Sequence, residues 1–179
     1  MRKLTCAALA VAATFSGTAF AENPNVMSNF NYDYFEARIG MAPLTFGAGF
    51  NKSIHPNAHF VATADSEFDS DFLLRTGLGF HAPVTNWADI TGQMLARVAD
   101  NRRMDTKVGM EVNLGWRQWL GPQFEVGGDV GYVTMDGRDD WIGSAYGRFH
   151  ATELFSIGLA GKLNDFYGDQ FMLTTRFLF

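Results

Sequence analysis

The stretch Thr106 to Leu120, Thr-Lys-Val-Gly-Met-Glu-Val-Asn-Leu-Gly-Trp-Arg-Gln-Trp-Leu, decides the fold class. Val108, Met110, Val112, Leu114 and Trp116 fall on one side of a period of two. Lys107, Gly109, Glu111, Asn113 and Arg117 fall on the other. Side chains alternate faces only in an extended strand, so this is a strand with one apolar face and one charged face. The same alternation runs through Phe155, Ile157, Leu159 and Leu163 against Ser156, Lys162 and Asn164. It returns at the end of the chain as Phe171, Leu173, Phe177 and Phe179 against Thr174 and Arg176.

Working outward from residue 106, segments of about ten residues separated by polar, Gly or Pro clusters fill the chain from Tyr32 onward. Ten strands are predicted over Tyr32 to Met41, Leu44 to Lys52, Asn57 to Asp65, Phe72 to Ala82, Trp87 to Asp100, Thr106 to Trp119, Gln123 to Met135, Asp140 to His150, Leu154 to Asn164 and Gln170 to Phe179. Eight strands remain possible if the first two merge or stay irregular. The expected fold is all-β, a transmembrane antiparallel up-and-down β-barrel, with an even strand number that puts both termini on the periplasmic side.

The amino-terminal residues read as an export leader. Arg2 and Lys3 precede an apolar run from Leu4 to Phe15, and Ala19-Phe20-Ala21 supplies a small-residue cleavage site. The expected organisation is a leader over 1–21, a short periplasmic segment over 22–31 and the barrel over 32–179. The single cysteine, Cys6, lies in the leader, which leaves the mature chain without a disulfide. Loss of Arg2 and Lys3 takes the formal charge from −5 to −7, an acidity that disfavours nucleic acid as a partner.

Hydrophobic residues make up 47% of the chain and aromatic residues 15%, with 19 glycines, yet mean hydropathy is only −0.06. A bundle of membrane helices would be far more apolar. Two placements separate a lipid-facing barrel from a soluble sandwich. Gly109, Gly115, Gly127, Gly131 and Gly158 lie on the polar face, where they leave room for long charged neighbours inside a narrow barrel. Phe50, Phe60, Phe80, Trp87, Trp119, Phe124, Phe149 and Phe155 flank the turns expected on the periplasmic side, as an aromatic girdle does. The acids Asp65, Glu67, Asp69, Asp71, Asp100, Asp105, Asp136, Asp139, Asp140, Asp165 and Asp169 collect at the opposite connections, which are short.

The leader, the ten-residue alternation and a last strand ending Arg176-Phe177-Leu178-Phe179 resemble the small bacterial outer-membrane barrels of the OmpA/OmpX type. The resemblance implies an outer-membrane location, contact with lipid and lipopolysaccharide, and reading of Phe171, Leu173, Phe177 and Phe179 by the barrel-assembly machinery. The chain departs from it in lacking the domain that follows the OmpA barrel and the long loops of OmpX.

Following the alternation, the lumen receives Glu36, Arg38, Arg75, Asp89, Arg97, Lys107, Glu111, Arg117, Glu125, Asp129, Arg148, Lys162 and Arg176. These are five acids and eight bases. A lipid-facing Arg costs roughly 2–4 kcal/mol at the bilayer midplane, so regularly placed charges belong inside. Two consequences are open. Acids and bases interlock into a plug and the protein is a monomeric structural or surface component, or the base excess lines a narrow porin-like channel for small anions. A surface adhesin or ligand-binding barrel is a third reading. No enzyme is expected, because His55, His59, His81 and His150 fall near periplasmic turns and none has another His at ligand spacing. The acidic stretch 65–71 reads as a solvated loop rather than a calcium site. Catalytic, cofactor and metal residues are therefore expected to be absent.

Overall fold

The computed structural model describes residues 26–69, 71–101 and 104–179. The expected leader, with its cleavage residues Ala19 and Ala21, lies outside them. Ten strands run in chain order: β1 (Tyr34–Met41), β2 (Thr45–His55), β3 (Ala58–Ser66), β4 (Phe72–Thr85), β5 (Ala88–Asn101), β6 (Met104–Gly121), β7 (Phe124–Met135), β8 (Arg138–His150), β9 (Phe155–Asp165) and β10 (Gly168–Leu178). Each pairs antiparallel with its neighbours in sequence, and β1 pairs with β10 to close the barrel. The first two strands stay distinct, so the strand count is ten rather than eight.

Closure leaves no sheet edge, so the strands satisfy one another's backbone groups all the way round. The start of β1 and the end of β10 meet at one rim, called here the terminal rim, where Phe179 N donates to Asp33 O at 3.3 Å. The hairpins β2–β3, β4–β5, β6–β7 and β8–β9 turn at this rim, and the other five turn at the far rim. Turns are tight where the residues permit. Asp136 and Gly137 both carry positive φ (54° and 73°), the two-residue turn whose twist matches its flanking strands.

The alternation read in β6 is realised as an inside-out polarity. Val112 and Leu114 are 49% and 61% exposed, whereas Glu111 and Asn113, which alternate with them, are 1% and 8% exposed. Outward aromatic rings gather at the terminal rim: Phe35 lies 5.1 Å from Phe50 and 5.0 Å from Phe179, and Phe155 lies 5.0 Å from Phe177. Trp87, Phe80, Phe124 and Phe149 extend this ring of exposed aromatics.

Trp119 does not belong to it. Two residues beyond the inward Arg117, it shares that residue's face and stacks on Phe30 at 5.5 Å. Nearness to a turn suggested the outer face, but the period of two sets the side. The lumen also holds an apolar minority, Leu73, Leu95, Val133 and Met172, all buried. Residues 26–33 form no strand; they fold back under the terminal rim and end in Phe30 and Tyr32, both buried.

Candidate functional site: a paired lumen and a closed mouth

Acids and bases on the inner face meet because neighbouring strands present their inward positions at similar heights. Near the far rim, Asp65 accepts from Arg38 (Nη2 to Oδ1, 3.0 Å) and from Arg75 (Nη2 to Oδ2, 3.0 Å). Arg97 donates to Glu111 at 3.0 Å and to Asp165 at 2.6 Å, and Lys162 reaches Asp165 at 3.2 Å. Arg75 stands 3.5 Å from Asp165. Strands β4 and β9 are five places apart in a ring of ten, so the Arg75–Asp165 pair joins opposite walls of the barrel.

Toward the terminal rim the acceptors are Glu36 and Glu125. Glu36 takes Arg38 at 3.0 Å, Arg148 at 3.4 Å and Arg176. Glu125, fully buried, accepts from Arg117 Nε at 2.9 Å and Tyr146 Oη at 2.7 Å, with His150 Nε2 at 3.0 Å. Arg148 lies 3.5 Å from Glu125 as well. Arg38 ties the two halves together, since it bonds both Glu36 and Asp65. The pairs therefore run unbroken from Arg117 near one rim to Arg97 near the other.

Not every predicted lumen charge joins this chain of pairs. Lys107 sits at the far rim, 2.9 Å from the exposed Asp136. Asp129 accepts from Ser144 Oγ at 2.5 Å, and Asp89 receives the amino-terminal segment. Glycine backbones make the room. A Cβ at Gly47 would lie 2.0 Å from Asp65 Oδ1, and one at Gly131 would lie 1.9 Å from Asn113 Oδ1.

Asp65 and Asp165, assigned from the sequence to the far connections, are buried lumen residues instead. For Asp65 the alternation His59, Val61, Thr63, Asp65 already pointed inward. Asp165 has the wrong parity for the lumen, because Lys162 is inward and Leu163 outward. Asn164 takes φ 56°, a left-handed conformation that Asn tolerates, and this turns the next side chain in. With these two acids inside and Lys107 at the rim, the inward-facing charges among the described residues are seven acids against seven bases. The base excess that favoured small anions is gone.

At the terminal mouth the amino-terminal segment makes a second set of contacts. Tyr32 Oη donates to Asp89 at 2.9 Å and Ser28 Oγ to the same oxygen at 2.5 Å. The Arg117 guanidinium lies 4.5 Å from the Phe30 ring centroid and 4.7 Å from that of Tyr32. Tyr32 stacks on His81 at 3.9 Å and on His59 at 4.7 Å. Burial and Asp89 push its phenol above the ordinary tyrosine range, against the pull of Arg117. His59 and His81 face each other, Nδ1 to Nδ1, at 3.4 Å. His81 thus pairs with His59 and not with His150, which packs on Trp119 at 4.6 Å. Sequence spacing could not show the His pair, since its members sit on different strands.

A cavity of about 220 Å³ runs along the lumen beside the ion pairs, lined by Glu36, Arg75, Arg148 and Asp165 together with neutral side chains such as Gln93 and Thr174. Among the described residues, no group of three or more His, Cys, Asp and Glu is placed to hold a metal ion.

No family profile matches the chain, and no curated protein matches it. Five solved chains do. One, titled "KdgM porin", superposes with a TM-score of 0.53 at 6% identity, covering 82% of this chain and 99% of that one. The likeness is one of fold. It places the ten-stranded closed barrel beside a porin's, and the chemistry of the lumen rests on this chain's own residues.

Proposed function

We propose that the chain is a monomeric, non-enzymatic outer-membrane barrel of porin-like build whose lumen is held shut by its own ion pairs, serving as a structural or surface component of the envelope. The observation that carries the closed reading is the bridging of opposite walls at Asp165 by Arg75 and Arg97. A buried ion pair gains little over apolar packing, but each partner that loses its mate is left as an uncompensated charge. Side chains so held do not step aside for a passing solute.

Insertion in a bilayer follows from the polarity. An exposed apolar belt around a charged interior is the reverse of a soluble protein, and lipid is the solvent in which it is stable. The strands, of 8 to 18 residues, are of the length that spans a membrane with tilt. A small barrel whose first and last strands start and end at one rim suits the OmpA/OmpX type, with the terminal rim periplasmic. Phe171, Phe177 and Phe179 are about half exposed on the outer face, where the assembly machinery would read them along with Leu173. Arg138, exposed at the far rim, would pair with lipopolysaccharide phosphate in this reading.

The second reading is a narrow channel for small solutes, favoured by the likeness to a porin and by the polar cavity. Planar-bilayer recording of the purified protein decides between them. The closed reading expects a silent membrane; discrete conductance steps that disappear when the lumen is blocked would establish the channel.

A further inference from the structure

The amino-terminal segment is built unlike the rest of the molecule. Residues 26–33 lie outside the strand ladder, and their polar anchors between Met27 and Tyr32 go to a single hairpin. Met27 N donates to Asn86 Oδ1 at 3.2 Å and Asn29 Nδ2 to Asn86 O at 2.8 Å. Ser28 and Tyr32 both donate to Asp89. The remaining hold is ring contact, with Phe30 on Trp119 and Tyr32 on His81 and His59.

The seat, by contrast, is part of the wall. Arg117 is fixed by Glu125, Trp119 packs on His150, and His59 fits against the bare backbone of Gly79, where a Cβ would lie 2.0 Å from its Nε2. Withdrawing the segment breaks four hydrogen bonds and the ring contacts but none of the barrel's ladder. Asp33, just past it, is independently anchored: it accepts from Ser53 N at 2.5 Å and Lys52 Nζ at 3.1 Å.

We infer that residues 26–32 are a detachable stopper, and that the terminal mouth of the barrel is a peptide-binding site for a segment with two aromatic residues one position apart, the second a tyrosine, whose resident occupant is this chain's own Phe30-Asn31-Tyr32. Recognition is by ring stacking on Trp119, His81 and His59, a guanidinium over both rings, and a carboxylate that receives the phenol. Asp89 is the latch, because it takes two of the four anchoring hydrogen bonds.

The one cysteine, Cys6, lies in the expected leader, so Gln93→Cys in a chain that carries Cys6→Ser places a single thiol in the lumen cavity behind the stopper. Its rate of modification by a charged, membrane-impermeant thiol reagent supplied at the terminal side reports the mouth. In the full chain the expected rate is low, and Asp89→Asn raises it at least several-fold. Deleting residues 22–32 raises it about tenfold or more, and a synthetic peptide of residues 26–33 then restores the slow rate. The same peptide carrying Phe30→Ala and Tyr32→Ala does not. Heat-modifiable migration on gels verifies folding of each variant, and if the deletion does not fold, Asp89→Asn in the full chain decides alone. Equal rates with and without the latch, or a deletion barrel indifferent to the peptide, would overturn the proposal. The readout concerns one mouth only, so it stands or falls separately from the conductance test of the closed lumen.

Discussion

Single residues decide whether the lumen is a plug. Asp165 accepts from Arg97 and Lys162 and faces Arg75, so Asp165→Asn leaves three buried cations short of one counter-charge. Breaking a buried pair from one side costs about 3–5 kcal/mol. Urea unfolding of the protein folded into lipid vesicles should show a loss of that order, and an unchanged midpoint would mean the lumen is wet enough to screen the pair. At the far rim the loop acids are predicted to titrate apart. Burial raises Asp71, but hydrogen bonds from Tyr167 and from the Glu67 and Asp69 N–H groups more than offset it, leaving its carboxyl below the ordinary range. Burial and the neighbouring charges of Asp71 and Asp69 push Glu67 above its ordinary value. Asp71 thus adds order to the loop above its unfolded pKa, and loses it as pH falls through the folded one. The contribution of Glu67 has the opposite sign: it is present below its unfolded pKa and lost as pH rises through the folded one. Carbon-detected NMR of the two carboxyls should find Asp71 ionising first as pH is raised.

At the scale of the strand, alternation assigns every side chain a solvent. Leu114, 61% exposed on β6, belongs to lipid in this reading. Leu114→Arg should cost about 2–4 kcal/mol in bilayers if the site is near the midplane. A soluble barrel would tolerate the same change at an exposed position, so vesicle-based unfolding separates the two. Strand ends are where the rule fails. Asn164 carries φ 56° and thereby turns Asp165 inward. Asn164→Val, β-branched and averse to the left-handed region, should cost about 1–2 kcal/mol. It should also weaken the Asp165 pairs, which the same unfolding assay with Asn164→Gly as the tolerated control would reveal.

On the closed reading, two barriers lie in series across the whole molecule: ion pairs that link opposite walls, and an amino-terminal segment seated in the terminal mouth. They differ physically. The first is made by wall residues whose partners are all on the wall, and the second by a strap that leaves without disturbing a strand. A recording that is silent for the full chain and stays silent after removal of residues 22–32 is the expected result, because the ion pairs remain. Conductance appearing on that deletion alone would place the whole barrier in the strap.

Period-two patterning predicted about ten strands, their approximate limits and the face of almost every side chain, because a strand with unlike surroundings on its two faces has no freedom to present the wrong one; the choice of ten over eight came only with the pairing of β1 and β2. Asp65 and Trp119 were readable by the same rule, and only their nearness to turns argued otherwise. Tertiary structure alone decided the rest. Which base meets which acid depends on registers that bring residues up to 140 positions apart together, as with Glu36 and Arg176. The inward turn of Asp165 depends on one left-handed residue, and the His59–His81 pair on the stagger of two strands. The seating of Phe30 and Tyr32 depends on a mouth that exists only once the barrel has closed. Local pattern carries the side a residue faces; the partner it finds there is set by the geometry of closure.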